Sequence, residues 1–286
     1  MSKYLISVDI EGITGVISHD YSSEKGVYHA VGCRYMEHDV NAVVAGLREI
    51  EPECEILVRD AHGAKANNLT LANLDNVSVI QGWEGKQNMF AGLDADTDGI
   101  LCVGYHAGGN NLRALLSHTL SSKIRFLKIN NKIVNEAEIF NYYAKSLKVP
   151  LIFISGDDQL VNETKQRMDK EIVTVAVKKS LSRTCAVSLS LQEAAYCLKE
   201  GAKEAVRKLQ AGTFKSSFVL PDIFEMEIGF FDTGVRASLF AGLWDIIDFD
   251  KSYFFDWDNL VISLRENDLG ILLAKLNLIL RLSYTF

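Results

Sequence analysis

Apolar runs and helical stripes alternate along the first two thirds of the chain. The run at 4–10, rich in β-formers, predicts a strand. Val40, Val43, Val44 and Leu47 recur at helical spacing and predict a helix near 28–49. Strands are expected near 54–60, 77–81 and 97–105, with a short helix near 66–73. Residues 114–134 read as β-rich, with a short β-like piece at 115–120 and a hairpin turn at Asn130-Asn131. A helix near 136–147 stops before Pro150, and 150–156 reads as a buried strand. Asp157 or Asp158 is placed to cap the helix that follows. A strand at 171–177 and an amphipathic helix at 191–209 complete this part. Beyond Gly212 come β-rich stretches at 215–231 and 246–255 and a final helix.

Such alternation predicts an α/β fold: a mainly parallel sheet flanked by helices, with a smaller C-terminal α+β region. A boundary near 212 divides 1–212, an α/β part, from 213–286, a candidate oligomerisation region.

Composition narrows the class. With 48% hydrophobic and 23% charged residues, the 286-residue chain is an ordinary globular protein. A net charge of −7 and the lack of any basic run argue against nucleic acid as a partner. Cys33, Cys54, Cys102, Cys185 and Cys197 are odd in number and show no C-x-x-C spacing. They read as reduced thiols, mostly in the core, and a cytoplasmic location is expected. The chain runs directly into a strand, which is not the pattern of a signal peptide. Lys275, Asn277 and Arg281 interrupt the apolar tail well before the roughly 20 residues a membrane span needs, so a packed helix and no membrane are expected.

The chemistry gathers at strand ends. Asp9 and Glu11, spaced i, i+2, leave the first strand by one face with Ser7, and Gly12 frees the backbone to turn. Two adjacent acids repel unless a cation lies between them. His62 and His106 end two further predicted strands, each followed closely by glycine. Parallel neighbours would bring all four residues to one rim, where open α/β sheets bind ligands. Carboxylate with imidazole suits zinc or a similar ion. Glu136, at a helix start, is a fifth candidate, with Glu138 as its competitor. Asp9, Glu11, Glu136 and a hydroxide would carry four negative charges, which two divalent ions balance. His118 is left over, suited to acid–base work or to steadying an oxyanion. His19, His29 and His38 read as surface residues. Asp60 either orients His62 or ends its strand. Arg183 reads as an ion-pair partner rather than an anchor for a substrate carboxylate.

The string Ser7-Val8-Asp9-Ile10-Glu11-Gly12 resembles the S-x-D-x-E-G signature of the zinc D-aminopeptidases, self-compartmentalising peptidases associated with bacterial dipeptide-transport operons. The match continues in order through Asp60-Ala61-His62, Gly104-Tyr105-His106-Ala107, Ser117-His118, the stretch 130–136, Gly156-Asp157-Asp158, and Lys178 with Ser182-Arg183. It is close over 4–190 and looser beyond. The loop at 108–111 and the region 225–245 depart from the family pattern and leave substrate choice open. The resemblance implies two zinc ions per chain on Asp9, Glu11, His62, His106 and Glu136, with His118 catalytic. It implies hydrolysis of short peptides with an amino-terminal D-residue such as D-Ala, in a decamer of two stacked five-membered rings. Alternatives left open are a metal amidohydrolase acting on L-peptides or small amides, a magnesium phosphohydrolase and a non-catalytic binding or assembly module. The histidines weigh against magnesium, which prefers oxygen ligands.

Overall fold

The structure, a computed structural model, describes residues 1–63, 65–83, 87–214, 220–231, 234, 239, 242–243, 250 and 252–283. Seven strands form the main sheet: β1 (Lys3–Val8), β2 (Glu55–Asp60), β3 (Ser78–Ile80), β4 (Gly99–Tyr105), β7 (Leu151–Asp157), β8 (Val173–Ser182) and β9 (Cys185–Ser188). Their order is β3-β2-β1-β4-β7-β8-β9, and every pairing is parallel except that of β8 with β9. β1 pairs with β2 on one side and β4 on the other, so Ser7 lies opposite both Arg59 and Cys102. The chain builds outward from β1 first to one side and then to the other. A crevice opens at such a switch point, at the carboxyl ends of the strands.

Both faces of this sheet are covered, which explains why its strands read as unbroken apolar runs. On one face Tyr4, Ile6 and Val8 pack against α2 (His29–Ile50) and α5 (Leu191–Gln210) through Met36, Val40, Leu47, Leu198 and Val206. On the other, Leu5, Cys102 and Ile154 share a core with a second, antiparallel sheet. That sheet runs β11 (Tyr253–Asp256), β12 (Val261–Glu266), β10 (Phe224–Phe230), β5 (Ile124–Ile129) and β6 (Lys132–Ile133). It takes two strands from before residue 212 and three from after it. Leu272, Leu276 and Ile279 of the C-terminal helix Leu269–Ser283 close this core, as does Phe140 of α3 (Glu136–Ser146).

Most expected elements are present within a few residues. Asn130 and Asn131 take φ of 48° and 65°, the left-handed pair that a tight hairpin between β5 and β6 requires. Asp157 caps α4 (Asp158–Arg167) by accepting from the Leu160 amide at 2.8 Å. The helix expected near 66–73 is one 3₁₀ turn, Leu71–Asn73. Residues 115–120 form no strand: left-handed Leu116 and Leu120, at φ 52° and 61°, break any ladder. β12 was not anticipated. Residues 215–219, 246–249 and 251 of the β-rich stretches lie outside the described residues. All five cysteines are free thiols, and only Cys54 and Cys102 are buried, whereas Cys185 is exposed. No described helix is long and apolar enough to cross a membrane.

Candidate metal centre

Each strand beside the switch point ends at one of the candidate residues. Asp9 follows β1, His62 follows β2 and His106 follows β4. The Asp9 amide still donates to Val103 at 2.9 Å, so the strand geometry carries the carboxylate to the rim. The turn after Glu11 fits only glycine. A Cβ on Gly12 would lie 1.9 Å from the Tyr105 carbonyl oxygen, and one on Gly104 would lie 2.3 Å from that of Asp9. The Gly12 amide donates to the Gly104 carbonyl at 2.7 Å, closing the two strand ends against each other. Gly12→Ala is therefore expected to destabilise the fold by on the order of 3 kcal/mol, read as a lowered urea midpoint. An unchanged midpoint would mean that the rim yields freely.

The side chains converge as two trios. Asp9, Glu11 and His62 form one, and His106, His118 and Glu136 the other. Asp9 joins them: its Oδ1 lies 3.0 Å from His62 Nδ1, and its Oδ2 lies 3.4 Å from His106 Nε2. His62 Nδ1 is also 3.0 Å from Glu11 Oε2, and His106 Nε2 is 3.5 Å from Glu136 Oε1. His118 stacks on His106 with ring centroids 4.2 Å apart, its Nε2 3.9 Å from Glu136 Oε1.

All three imidazoles are oriented alike. His62 Nε2–H donates to the Ser22 carbonyl at 2.8 Å, His106 Nδ1–H to that of Ala107 at 3.0 Å, and His118 Nδ1–H to that of Leu116 at 2.9 Å. Each outer nitrogen thus meets a backbone carbonyl, and each inner nitrogen faces the carboxylates. That ring orientation suits a cation between them, to which each inner nitrogen would turn a lone pair once its proton is displaced. Among the described residues, buried His106 Nε2 and Glu11 Oε2 have no hydrogen-bond partner, a costly arrangement unless an ion completes it. By donor type and by these orphaned atoms, the site fits a metal of zinc character.

Its electrostatics show the strain of holding three acids together. Burial, reinforced by Glu11, pushes the Asp9 carboxyl up to about 6. Burial likewise raises Glu136. Burial opposes charge on Glu11 and on His62, but their mutual attraction outweighs it, holding Glu11 well below and His62 well above their usual ranges. Burial and the neighbouring His118 lower His106.

Why Glu136 and not Glu138 reaches the rim follows from the helix start. Asn135 caps α3 through the Glu138 amide at 2.9 Å, and Glu138 returns the bond to the Asn135 amide at 2.8 Å. This capping box consumes Glu138. Glu136, first in the helix, turns inward and accepts from the Leu120 amide at 2.6 Å.

Asp60 does not orient the His62 ring. Its carboxylate gathers the Asn68 and Leu69 amides and the Asn68 side chain, fixing the loop behind His62. Arg183 has no acid within ion-pair distance among the described residues. It donates to Ser117 Oγ at 2.9 Å and to the Ser117 carbonyl at 3.0 Å, so the expected ion pair gives way to a brace behind His118. His29 and His38 are half-buried, against Asn68 and Asp39, whereas His19 is exposed and faces the cavity. Two supporting residues have roles that motif reading does not reveal. Lys178 is buried and donates to the carbonyls of Glu11, Ile13 and Val16 at 2.5–2.9 Å, moulding the loop after β1. Glu163 accepts from the Gly108 amide and from the Asn111 and Asn135 side chains at 2.9–3.2 Å. It ties the segment after His106 to the start of α3. Neither bond pattern has a local sequence signal, because the partners lie tens of residues away.

The trios open into a cavity of about 940 Å³. Its lining also includes Trp83, Phe231, Leu280 and Arg281, so residues from early and late in the chain enclose it together. The volume is that of a site for a small molecule or a short peptide.

The comparisons with known proteins agree with this geometry. The peptidase M55 family model, described as D-aminopeptidase, matches residues 2–248. A D-aminopeptidase of Bacillus subtilis (strain 168) is 30% identical over 200 residues, covering 69% of this chain and 71% of the relative. A solved structure described as the Zn-dependent D-aminopeptidase DppA from Bacillus subtilis, a self-compartmentalizing protease, superposes with a TM-score of 0.88 at 24% identity, covering 99% of this chain and 98% of the other. With a buried rim of acids and histidines above a mostly parallel sheet, and with a family match over most of its length, the chain belongs to the peptidase M55 family of D-aminopeptidases.

Proposed function

We propose that this enzyme releases amino-terminal D-residues, such as D-Ala, from short peptides, with Asp9, Glu11, His62, His106 and Glu136 holding two zinc ions. The observation that carries this reading is the shared orientation of the imidazoles, each with its outer nitrogen on a backbone carbonyl and its inner nitrogen turned to the carboxylates. Zinc bound there would polarise the scissile carbonyl and acidify a water. The protein's own part falls to His118. Its Nδ1–H is fixed on Leu116, and its side chain keeps 24% of its surface exposed toward the cavity. Nε2 can therefore take a proton from the attacking water and return it to the leaving amine. Metal analysis of zinc-reconstituted protein, followed by turnover of D- and L-alanyl peptides, tests the proposal. Near two zinc per chain with preference for the D-series supports it. Near zero zinc in folded protein refutes the site, and turnover of the L-series alone refutes the substrate.

Acid should strip the metal. A ligand must be deprotonated to bind, and Asp9 in the metal-free site holds its proton up to about pH 6. Apparent zinc affinity is expected to fall by at least about tenfold per pH unit below 6, measured by competition with a chelator. A flat affinity between pH 4 and 6 would remove Asp9 from the ligand set.

A ring-type oligomer is part of the same proposal, supported by the self-compartmentalizing description of the solved relative. A monomer in light scattering would contradict it. A cytoplasmic setting suits the five free thiols.

A further inference from the structure

We propose that Arg183 anchors the free carboxyl terminus of the substrate, so that the enzyme selects di- and tripeptides by their carboxylate. This rests on the aminopeptidase reading above and adds a specificity residue to it. Arg183 lines the same cavity as Asp9, Glu11, His62, His118 and Glu136. Its guanidinium is held on the residue next to His118, through Ser117 Oγ and the Ser117 carbonyl. Ser117 is itself a fixed post: it is buried and donates from Oγ to the Asn111 carbonyl at 2.8 Å. The Arg183 main chain is strapped to the same loop, its carbonyl accepting from the Leu116 amide at 3.1 Å.

Two of the five guanidinium donors are used in this way. The others meet no carboxylate among the described residues, although the side chain is exposed to the cavity. A second cation of the cavity wall, Arg281, lies over the Trp83 ring at 5.7 Å. Arg183 is therefore a pre-oriented fork on the His118 side of the cavity. Consecutive residues of a peptide span about 3.8 Å, so the carboxylate of a di- or tripeptide falls roughly one or two residue lengths beyond the bond being cut. A planar fork matches a carboxylate in two parallel hydrogen bonds, and a charge-assisted pair of this kind is stronger than a neutral one.

A purely structural brace would look the same in a static view, so the test must separate the two roles. The measurement is kcat/KM for D-alanyl-D-alanine and for its carboxyl-terminal amide, both followed by loss of the peptide. The wild-type enzyme is expected to favour the acid by about 10–100-fold. In Arg183→Gln that ratio should collapse toward one, whatever the variant costs both substrates together, and Arg183→Lys should retain part of it. A brace lowers both substrates equally and leaves the ratio unchanged, which would overturn the proposal. Equal wild-type rates on acid and amide would also overturn it, without any variant, while leaving the aminopeptidase reading intact. Turnover of neither peptide would remove that reading and the anchor together.

Discussion

His118→Ala lowers turnover by about 10²–10⁴-fold while zinc content stays near that of the wild type: this is the expected outcome of the proposed role of His118 in moving protons beside bound zinc. The geometry argues for the separation. His62 and His106 are enclosed between carboxylates at 3.0–3.5 Å, whereas His118 Nε2 stands 3.9 Å from Glu136 and its ring reaches toward the cavity. In the metal-free site burial disfavours its cation, but Glu136 and Glu11 outweigh that and raise its pKa. Removing the ring leaves the other five side chains in place. Metal analysis and steady-state kinetics on one preparation decide the matter. Loss of zinc, with unchanged turnover per remaining ion, would reassign His118 as a ligand, a role that its place in the second trio permits.

The larger effect is expected at Asp9. Among the described residues it is the one carboxylate whose two oxygens face both trios, toward His62 and toward His106. Asp9→Ala should lose both ions, with turnover falling by on the order of 10⁴-fold or more. Truncating His62, which meets only the Asp9–Glu11 side, should cost one ion first. The contrast between the two variants carries the argument: equal losses of metal from both would mean that Asp9 does not link the sites. Retention of two zinc ions by Asp9→Ala would sink the shared-ligand arrangement altogether.

Sequence legibility followed the range of the interactions involved. The strand ends could be read because an apolar run that stops at Asp9, His62 or His106 has little choice once strands lie parallel. The Asn130-Asn131 hairpin could be read because both positions favour left-handed backbone. Glu136 could be preferred to Glu138 only by family resemblance, although the capping box supplies the physical reason. The path around His118 was hidden. It depends on left-handed Leu116 and Leu120, residues with no intrinsic taste for that conformation, held by an amide-to-carbonyl bond to Arg183 across 67 residues. Glu163 and Lys178 were hidden for the same reason, because each is defined by partners remote in sequence. The second sheet was half legible: its later strands suggested a separate region, but nothing local told β5 and β6 to join them.

The cavity has walls of two origins. Its floor of acids and imidazoles comes wholly from residues 9–136, whereas Phe231, Leu280 and Arg281 arrive from the last fifth of the chain. A substitution in that late stretch can therefore reshape the cavity without touching a candidate ligand.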